Sequence, residues 1–424
     1  MTNETIFTYG APPVKFGVGA VEEIGHDLGQ LGIRRALLIT DPGLVASGMP
    51  QGVADHIRAA GITAVVFAGA HVEPTDASLQ EAIAFARDNG PFDGVIAVGG
   101  GSSIDTAKAV NLLLHNPGEL MDYVNAPIGQ GRAPVNALAP LVAIPTTAGT
   151  GAECTTVCVL DVLALKVKTG ISHPRLRPAL AIIDPALTMS LPPMVTACSG
   201  LDILCHALES YTARPYAAYE RKRPEQRVPY CGANPIADMW SEKALELLGR
   251  SLRVAVHEPT EAARTDMALA ATFAGLGFGN AGVHIPHANG YPIAGRVTGY
   301  HAPEYPGDEP LVPHGMSVSL TAPETFRFTF AADPERHRRA ALLLDPDARE
   351  QDEEALAGAV ARLLRDVRMP NGIAAVGFTP ADVDALVAGS AKQQRLLAVA
   401  PREVEESDLA AIFHGSFSLW PATS

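Results

Sequence analysis

The feature that most constrains this chain is a change of pattern near residue 190. Before it, short apolar runs rich in β-branched residues alternate with helical patterns. ALLIT (36–40), TAVVFAG (63–69), DGVIAVGG (93–100) and LVAIP (141–145) read as buried strands, and LAIIDPAL (180–187) reads as the last one. Between them QGVADHIRAAG (51–61) and SLQEAIAFARDNG (78–90) show the three-to-four spacing of helices that end in Gly. Strands apolar on both faces need cover on both faces, so a parallel sheet clothed by helices is expected. From about Pro193 onward strand signals nearly vanish, and helical patterns follow one another from VTACSGLDILCHALESY to DVDALVAGSAK. The expected organisation is an α/β domain over residues 1–190 and an all-α domain over residues 191–424.

Two segments interrupt the helices. Residues 212–234 are rich in Pro and Arg, and residues 296–313 are dense in Pro, Gly and Tyr, the composition of surface loops. Met267 to Pro286 runs without a formal charge for about the length of a membrane span. Its Ala and Gly content, with Asn280 and His284 inside it, predicts a buried, closely packed helix instead. With 46 Asp and Glu against 32 Lys and Arg, a net charge of −14 and no basic block, the chain has no electrostatic drive toward a nucleic-acid backbone. No membrane partner is expected either. Five scattered cysteines without a C-x-x-C pair predict reduced thiols. The opening MTNETIFTYGAPP shows neither a signal-peptide nor a transit-peptide pattern, so a cytoplasmic protein is expected.

Three places carry chemistry. The strand DGVIAVGG runs into GGGSSIDTAK, so that Gly99, Gly100 and Gly101 turn into a helix that Ser102 or Ser103 is expected to cap. Amides at a helix start, approached through residues lacking Cβ, suit a phosphate. PTTAGTGAE (145–153) follows the next strand and offers the hydroxyls of Thr146, Thr147 and Thr150. Two such turns at the C-terminal ends of neighbouring parallel strands form the polar rim where open α/β sheets bind nucleotides. Asp41, after the strand 36–40, could accept hydrogen bonds from ribose hydroxyls and would repel a 2′-phosphate, which favours NAD over NADP. In GLDILCHALESY, Asp202 and His206 lie at i and i+4 on one helix face among apolar neighbours, where two side chains can grip one ion. His284, His287 and His314 lie downstream as further donors. One carboxylate with three neutral imidazoles would hold a divalent Fe or Zn ion at net charge +1.

With those residues in this order, the chain resembles the iron-containing (group III) alcohol dehydrogenase family over nearly its whole length. The matching segments are GGGSSIDTAK, PTTAGTGAE, IIDP, GLDILCHALESY, the Ala/Gly helix running into HANGYP, and VPHG. The resemblance implies an N-terminal Rossmann-like NAD-binding domain and a C-terminal all-α metal-binding domain, the fold shared with dehydroquinate synthase. It implies Asp202, His206, His287 and His314 as metal ligands, with His287 taken over His284 from the family's H-x-x-x-H-P pattern. By the same resemblance Gly99, Gly100, Gly101, Ser102 and Ser103 take the pyrophosphate and Asp41 the ribose. Thr146, Thr147 and Thr150 line the nicotinamide side, and Lys168 contacts the cofactor. Tyr291 stands where many members carry a second histidine near the substrate, and its phenol can hydrogen-bond.

VEPTD, LCHALESYTARPY, ANPIADMW, FAGLGFGNAGVHIPH, YPIAG and DEPLVPHGMSVSLTAPETF are further similar to one subgroup of that family. That subgroup couples oxidation of a hydroxy acid such as 4-hydroxybutyrate to reduction of 2-oxoglutarate. The implied cofactors are NAD and a divalent metal, Fe²⁺ before Zn²⁺. The implied partners are a small alcohol, aldehyde or hydroxy acid, and a homo-oligomer, a dimer, is expected. A substrate carboxylate needs a cation, for which Arg395 and Arg402 are candidates. The alternatives are an ordinary NAD-dependent dehydrogenase of small alcohols, or a lyase of the dehydroquinate-synthase type.

Overall fold

The structure, a computed structural model, describes residues 2–421 apart from 166, 228 and 306–309. The last four fall in the expected loop 296–313, so that part of it lies outside the described residues. The chain divides into two compact units, Ala11–Ser190 and Met1–Gly10 with Leu191–Ser424. The first ten residues, expected with the α/β half, thus belong to the helical one. Their backbone finds its partners there: Glu4 N–H donates to Tyr219 O (2.8 Å), and Asn280 exchanges hydrogen bonds with Gly10 at 2.9 and 3.0 Å.

In the α/β unit, strands β1 (Val14–Phe16), β2 (Arg35–Ile39), β3 (Thr63–Phe67), β4 (Gly94–Gly99), β5 (Leu141–Pro145) and β8 (Leu180–Ile183) form a six-stranded sheet in the order β1-β8-β5-β4-β2-β3. Every pairing is parallel. Alternation sends Leu37, Ile39, Val95 and Ala97 into one core and Ala36, Leu38, Ile96 and Val98 into another, which explains why these strands read as unbroken apolar runs. Helix Asp76–Asn89 is started by Thr75 and Ser78, each of whose hydroxyls accepts the other's backbone N–H. Three strands gave no sequence signal. β1 is three residues long with Lys15 in its middle, and β6 (Val157–Val162) pairs with β7 (Val167–Ser172) as an antiparallel hairpin buried on alternate residues of β6.

In the helical unit the long helices are Pro193–Thr212, Pro235–His257 and Glu261–Ala281. Small residues let them approach: a Cβ on Gly200 would meet Leu252 Cδ1 at 2.2 Å, and one on Gly277 would meet Ser241 Oγ at 2.6 Å. The Ala/Gly stretch is accordingly buried. It ends at Gly282 (φ 102°), and the following helix, Ile285–Arg296, bends away by 105°. No single described helix is long and apolar enough to cross a membrane. All five cysteines are free thiols.

Candidate active site

In the α/β unit the connection from β3 returns the chain to the far side of β2, so the strand order reverses between β2 and β4. Asp41 leaves β2 and Gly99 leaves β4 at that switch point, where open α/β sheets take ligands. Gly99 is in register with Pro145, so the glycine and threonine turns emerge side by side. The turn is tight: a Cβ on Gly99 would lie 2.6 Å from Ser103 Cβ, and one on Gly101 would lie 2.7 Å from Thr150 Cγ2. Backbone is therefore what the turn offers a ligand.

Neither Ser102 nor Ser103 caps the helix Gly101–His115, contrary to expectation. Gly100 is the N-cap, without a side-chain bond. Ser102 Oγ is occupied by the N–H of Glu73 (3.0 Å), and buried Ser103 donates to Asp41 Oδ2 (3.4 Å). The helix start is thus left without a side-chain acceptor, which suits an anion. Asp41 also caps the short helix Pro42–Val45, accepting Leu44 N–H at 3.1 Å. Thr146 N–H donates to Gly99 O (3.0 Å), Thr147 Oγ1 would lie 3.4 Å from a Cβ on Gly100, and Thr150 Oγ1 accepts Ala152 N–H (3.3 Å). Lys168, on β7, is held by Asp161 (2.8 Å) and Glu73 (3.1 Å), and these carboxylates raise its pKa even though burial opposes them. The structure gives it a partner pair within the protein.

Sequence reasoning missed Lys108. Its fully buried ammonium donates to Ala152 O (2.8 Å), Thr155 Oγ1 (3.0 Å) and Val157 O (2.7 Å), while Asp105 accepts Val159 N–H (2.9 Å). Together they tie the threonine turn and the β6–β7 hairpin to the glycine-turn helix.

In the helical unit, donors from three elements face one atom. Asp202 Oδ1 lies 3.7 Å from His206 Nε2, 3.6 Å from His287 Nε2 and 3.7 Å from His314 Nε2. Asp202, His287 and His314 each place a ligand atom within 4.8 Å of the other two. His314 gets there because the next residue is Gly315, where a Cβ would sit 1.9 Å from Cys198 O and 3.1 Å from Asp202 Cβ. These separations are too long for hydrogen bonds. A tetrahedral ion about 2.0–2.1 Å from such donors would space them about 3.4 Å apart. Asp202 Oδ1 and His287 Nε2 are moreover buried without a hydrogen-bond partner. Buried polar atoms that face one another without a protein donor between them need a charge or donor at their common centre, so these residues fit a divalent metal.

The electrostatics agree. Burial pushes His206 down to about 3, keeping its imidazole neutral, and its ring stacks on Phe278 at 3.8 Å. Burial also disfavours charge on His287, but the carboxylates of Glu209 and Asp202 override it and raise the ring to about 9. Burial works against ionised Asp202 too, yet the surrounding imidazoles hold its carboxyl well below the usual range. The pocket therefore favours positive charge at its centre, whether a proton on His287 or a cation. His284 stands apart: its Nε2 pairs with Thr212 Oγ1 (3.1 Å) and burial lowers it to about 4.

Tyr291, one turn after His287, has its ring 6.2 Å from that of His314 and, like Tyr230, packs against the buried cluster of Phe278, Val283, Ala288 and Leu396. Arg395 lies 4.6 Å over Tyr230, at the edge of this apolar wall. Arg402 does not join it, lying over Phe328 and donating to that residue's carbonyl. A residue with no sequence signal beyond its place in CHALESY is Glu209, whose Oε1 is 2.6 Å from His287 Nδ1.

A parallel sheet whose switch-point rim suits a nucleotide, together with a helical unit whose Asp/His cluster suits a cation, fits the class of metal- and dinucleotide-dependent enzymes. Two family models match, iron-containing alcohol dehydrogenase over residues 11–185 and the C-terminal part of the same family over residues 225–417. The chain belongs to the iron-containing alcohol dehydrogenase family. It is 45% identical to the mitochondrial hydroxyacid-oxoacid transhydrogenase of Mus musculus, covering 99% of this chain and 92% of that protein. It is 44% identical to the Homo sapiens protein of that name over 99% and 91%. Among solved structures it is similar to a 1,3-propanediol oxidoreductase (TM-score 0.84, 30% identity, 97% of this chain and all of that one). It is also similar to a sulfoacetaldehyde reductase from Bifidobacterium kashiwanohense in complex with NAD⁺ (TM-score 0.80, 27% identity, 98% and 99%). The mitochondrial names of the transhydrogenase relatives overturn the cytoplasmic expectation, which rested only on the first residues of the chain.

Proposed function

We propose that this chain is an NAD- and metal-dependent hydroxyacid-oxoacid transhydrogenase, oxidising a 4-hydroxybutyrate-like acid while reducing a 2-oxo acid such as 2-oxoglutarate. The observation that carries the metal-dependent chemistry is the convergence of three imidazoles on Asp202 Oδ1. The near full-length similarity to transhydrogenases supports the choice of substrates. The couple balances by itself: two electrons and two protons leave the hydroxy acid and the same number enter the oxo acid.

Asp202, His206, His287 and His314 are the residues we assign to the ion, Fe²⁺ in keeping with the family, which supplies Lewis acidity toward the substrate oxygen when bound. The Gly99–Ser103 turn is assigned to the NAD pyrophosphate, Asp41 to the ribose, and Thr146, Thr147 and Thr150 to the nicotinamide side, while NAD itself supplies the hydride carrier. Lys168 enters only as a support of this rim, through Glu73 and Asp161. Phe278 and Tyr291 exclude water beside the donors and give a short carbon chain an apolar wall. Arg395, stacked on Tyr230 at the edge of that wall, is the cation we assign to the substrate carboxylate. A homodimer is part of the same proposal, to be read by light scattering; edge strand β1 with exposed Val14 is a surface for it.

The test is an assay of the metal-loaded enzyme with 4-hydroxybutyrate and 2-oxoglutarate without added NAD, compared with each primary alcohol plus NAD. Succinate semialdehyde and 2-hydroxyglutarate forming in equal amounts, without NADH accumulating, is the expected result. NADH accumulating with simple alcohols, indifferent to the oxo acid, would select an ordinary dehydrogenase. In the same assay Arg395→Ala is expected to raise KM for the hydroxy acid at least about tenfold, the scale of one lost charge-assisted contact.

A further inference from the structure

We infer that Glu209 is a positioning residue for the metal site, fixing the tautomer of His287 and supplying the second negative charge that balances a divalent ion. This rests on the assignment of Asp202, His206, His287 and His314 as ligands.

Asp202, His206 and Glu209 fall at i, i+4 and i+7 of helix Pro193–Thr212, on one face, and Glu209 is fully buried. Both of its oxygens are used. Oε1 is 2.6 Å from His287 Nδ1, while Oε2 accepts the backbone N–H of His284 (2.6 Å) and that of His287 (3.4 Å). An ionised carboxylate only accepts, so the Nδ1 it faces must carry the proton. In the neutral ring, the form able to bind a metal, the lone pair of His287 is then on Nε2, the atom that lies 3.6 Å from Asp202 Oδ1 and has no hydrogen-bond partner. A carboxylate behind a metal-binding histidine orients the ring and raises its basicity. His284 and His287 are the N-cap and third residue of helix Ile285–Arg296, so the same carboxylate also closes the start of the helix bearing His287 and Tyr291, where negative charge is favoured.

Charge accounting points the same way. The expected donor set, one carboxylate and three neutral imidazoles, leaves a divalent ion at net charge +1. Including Glu209 makes the buried group neutral, which lowers the cost of holding it in an apolar interior.

Glu209→Gln tests this. The amide retains one oxygen for the helix amides but then turns its NH₂ toward Nδ1, which favours the tautomer with the proton on Nε2. Binding of Zn²⁺ or Fe²⁺, measured by competition with a chromophoric chelator, is expected to weaken about 10–100-fold while the apo protein stays folded by circular dichroism. Glu209→Asp, which keeps charge and acceptor, is expected to recover part of the affinity. Wild-type metal affinity in Glu209→Gln would overturn the inference. Should that variant fail to fold, the ¹⁵N spectrum of histidine-labelled wild-type protein loaded with Zn²⁺ decides: a proton on Nδ1 of His287 supports the inference and a proton on Nε2 overturns it. Asp202→Ala separates the two levels. If it keeps its metal, the ligand assignment itself fails; if it loses metal while Glu209→Gln keeps it, only the role of Glu209 fails.

Discussion

The glycine and threonine rim of the sheet and the Asp/His cluster of the helices solve different problems with different parts of the chain. The rim is made of backbone. Gly99 and Gly101 sit so close to Ser103 and Thr150 that a Cβ is crowded out, and the serine hydroxyls are already engaged, Ser103 with the Asp41 carboxylate and Ser102 with the backbone N–H of Glu73. The cluster is made of side chains, and its polar atoms at Asp202 Oδ1 and His287 Nε2 are left unpaired. A site of backbone amides should tolerate loss of a neighbouring hydroxyl but not gain of a methyl group. A site of converging side chains should fail when any one donor is removed.

The largest effect expected from this contrast is at Asp202. Asp202→Ala removes the one charge the three imidazoles share, and losing an ion whose Lewis acidity contributes several kcal/mol should cut turnover by at least about a thousandfold. Metal analysis of the purified variant should find none, and NAD binding by the other unit should be unchanged. Stoichiometric metal in the variant would break the contrast.

Next in size is Gly99→Ala. The added Cβ would lie 2.3 Å from Ser103 Oγ and 2.6 Å from its Cβ, so the Ser103 side chain in the first turn of the helix must be displaced, at about 1–3 kcal/mol of overpacking. The NAD dissociation constant should rise about tenfold or more, whereas Thr147→Ala, at about 0.5–1.5 kcal/mol for one hydrogen-bonding group, should shift it only a few-fold. Calorimetric titration of NAD measures both, and a larger loss from the threonine change would reverse the proposed division between backbone and side chain.

The smallest effect tests which unit owns the first ten residues. Glu4 accepts the N–H of Lys222 (2.9 Å), along with those of Thr5 and Ile6, and pairs with Arg227, which together lower its pKa from 4.5 to about 2. A depressed acid contributes stability that is present above its unfolded pKa and fades as pH falls through 4.5 toward 2. Glu4→Gln should therefore flatten the loss of stability in that window, and hydrogen exchange should show the change in 219–227 rather than in β1. Protection changes confined to the sheet would contradict the packing described here.

How much of this was legible beforehand depended on range. The runs 36–40, 93–100, 141–145 and 180–187 were readable because a strand buried on both faces advertises itself in consecutive residues, and 63–69, the half-buried edge strand, was readable from its apolar β-branched residues. β1 and the β6–β7 hairpin were not, since three residues around a lysine, or a half-buried alternation, resemble loop. The i, i+4 pair Asp202 and His206 was visible from helical spacing. That His287 rather than His284 turns toward it was implied by the family's H-x-x-x-H-P pattern, but its physical cause was not, because Thr212 and Glu209 hold the two rings from another helix. Ser102 and Ser103 looked like caps because serine before a helix usually is one; here Glu73 and Asp41, brought in by other loops, compete for them.

The sequence by itself determined where strands give way to helices, which turns lack a Cβ and which side chains can ligate an ion, since these follow from local periodicity and residue chemistry. The tertiary structure alone decided which carboxylate stands behind His287, what Lys168 and Lys108 bind, and to which unit the first ten residues belong. Hydrogen bonds and ion pairs between distant segments depend on ångström-scale approach, which no residue spacing along the chain encodes.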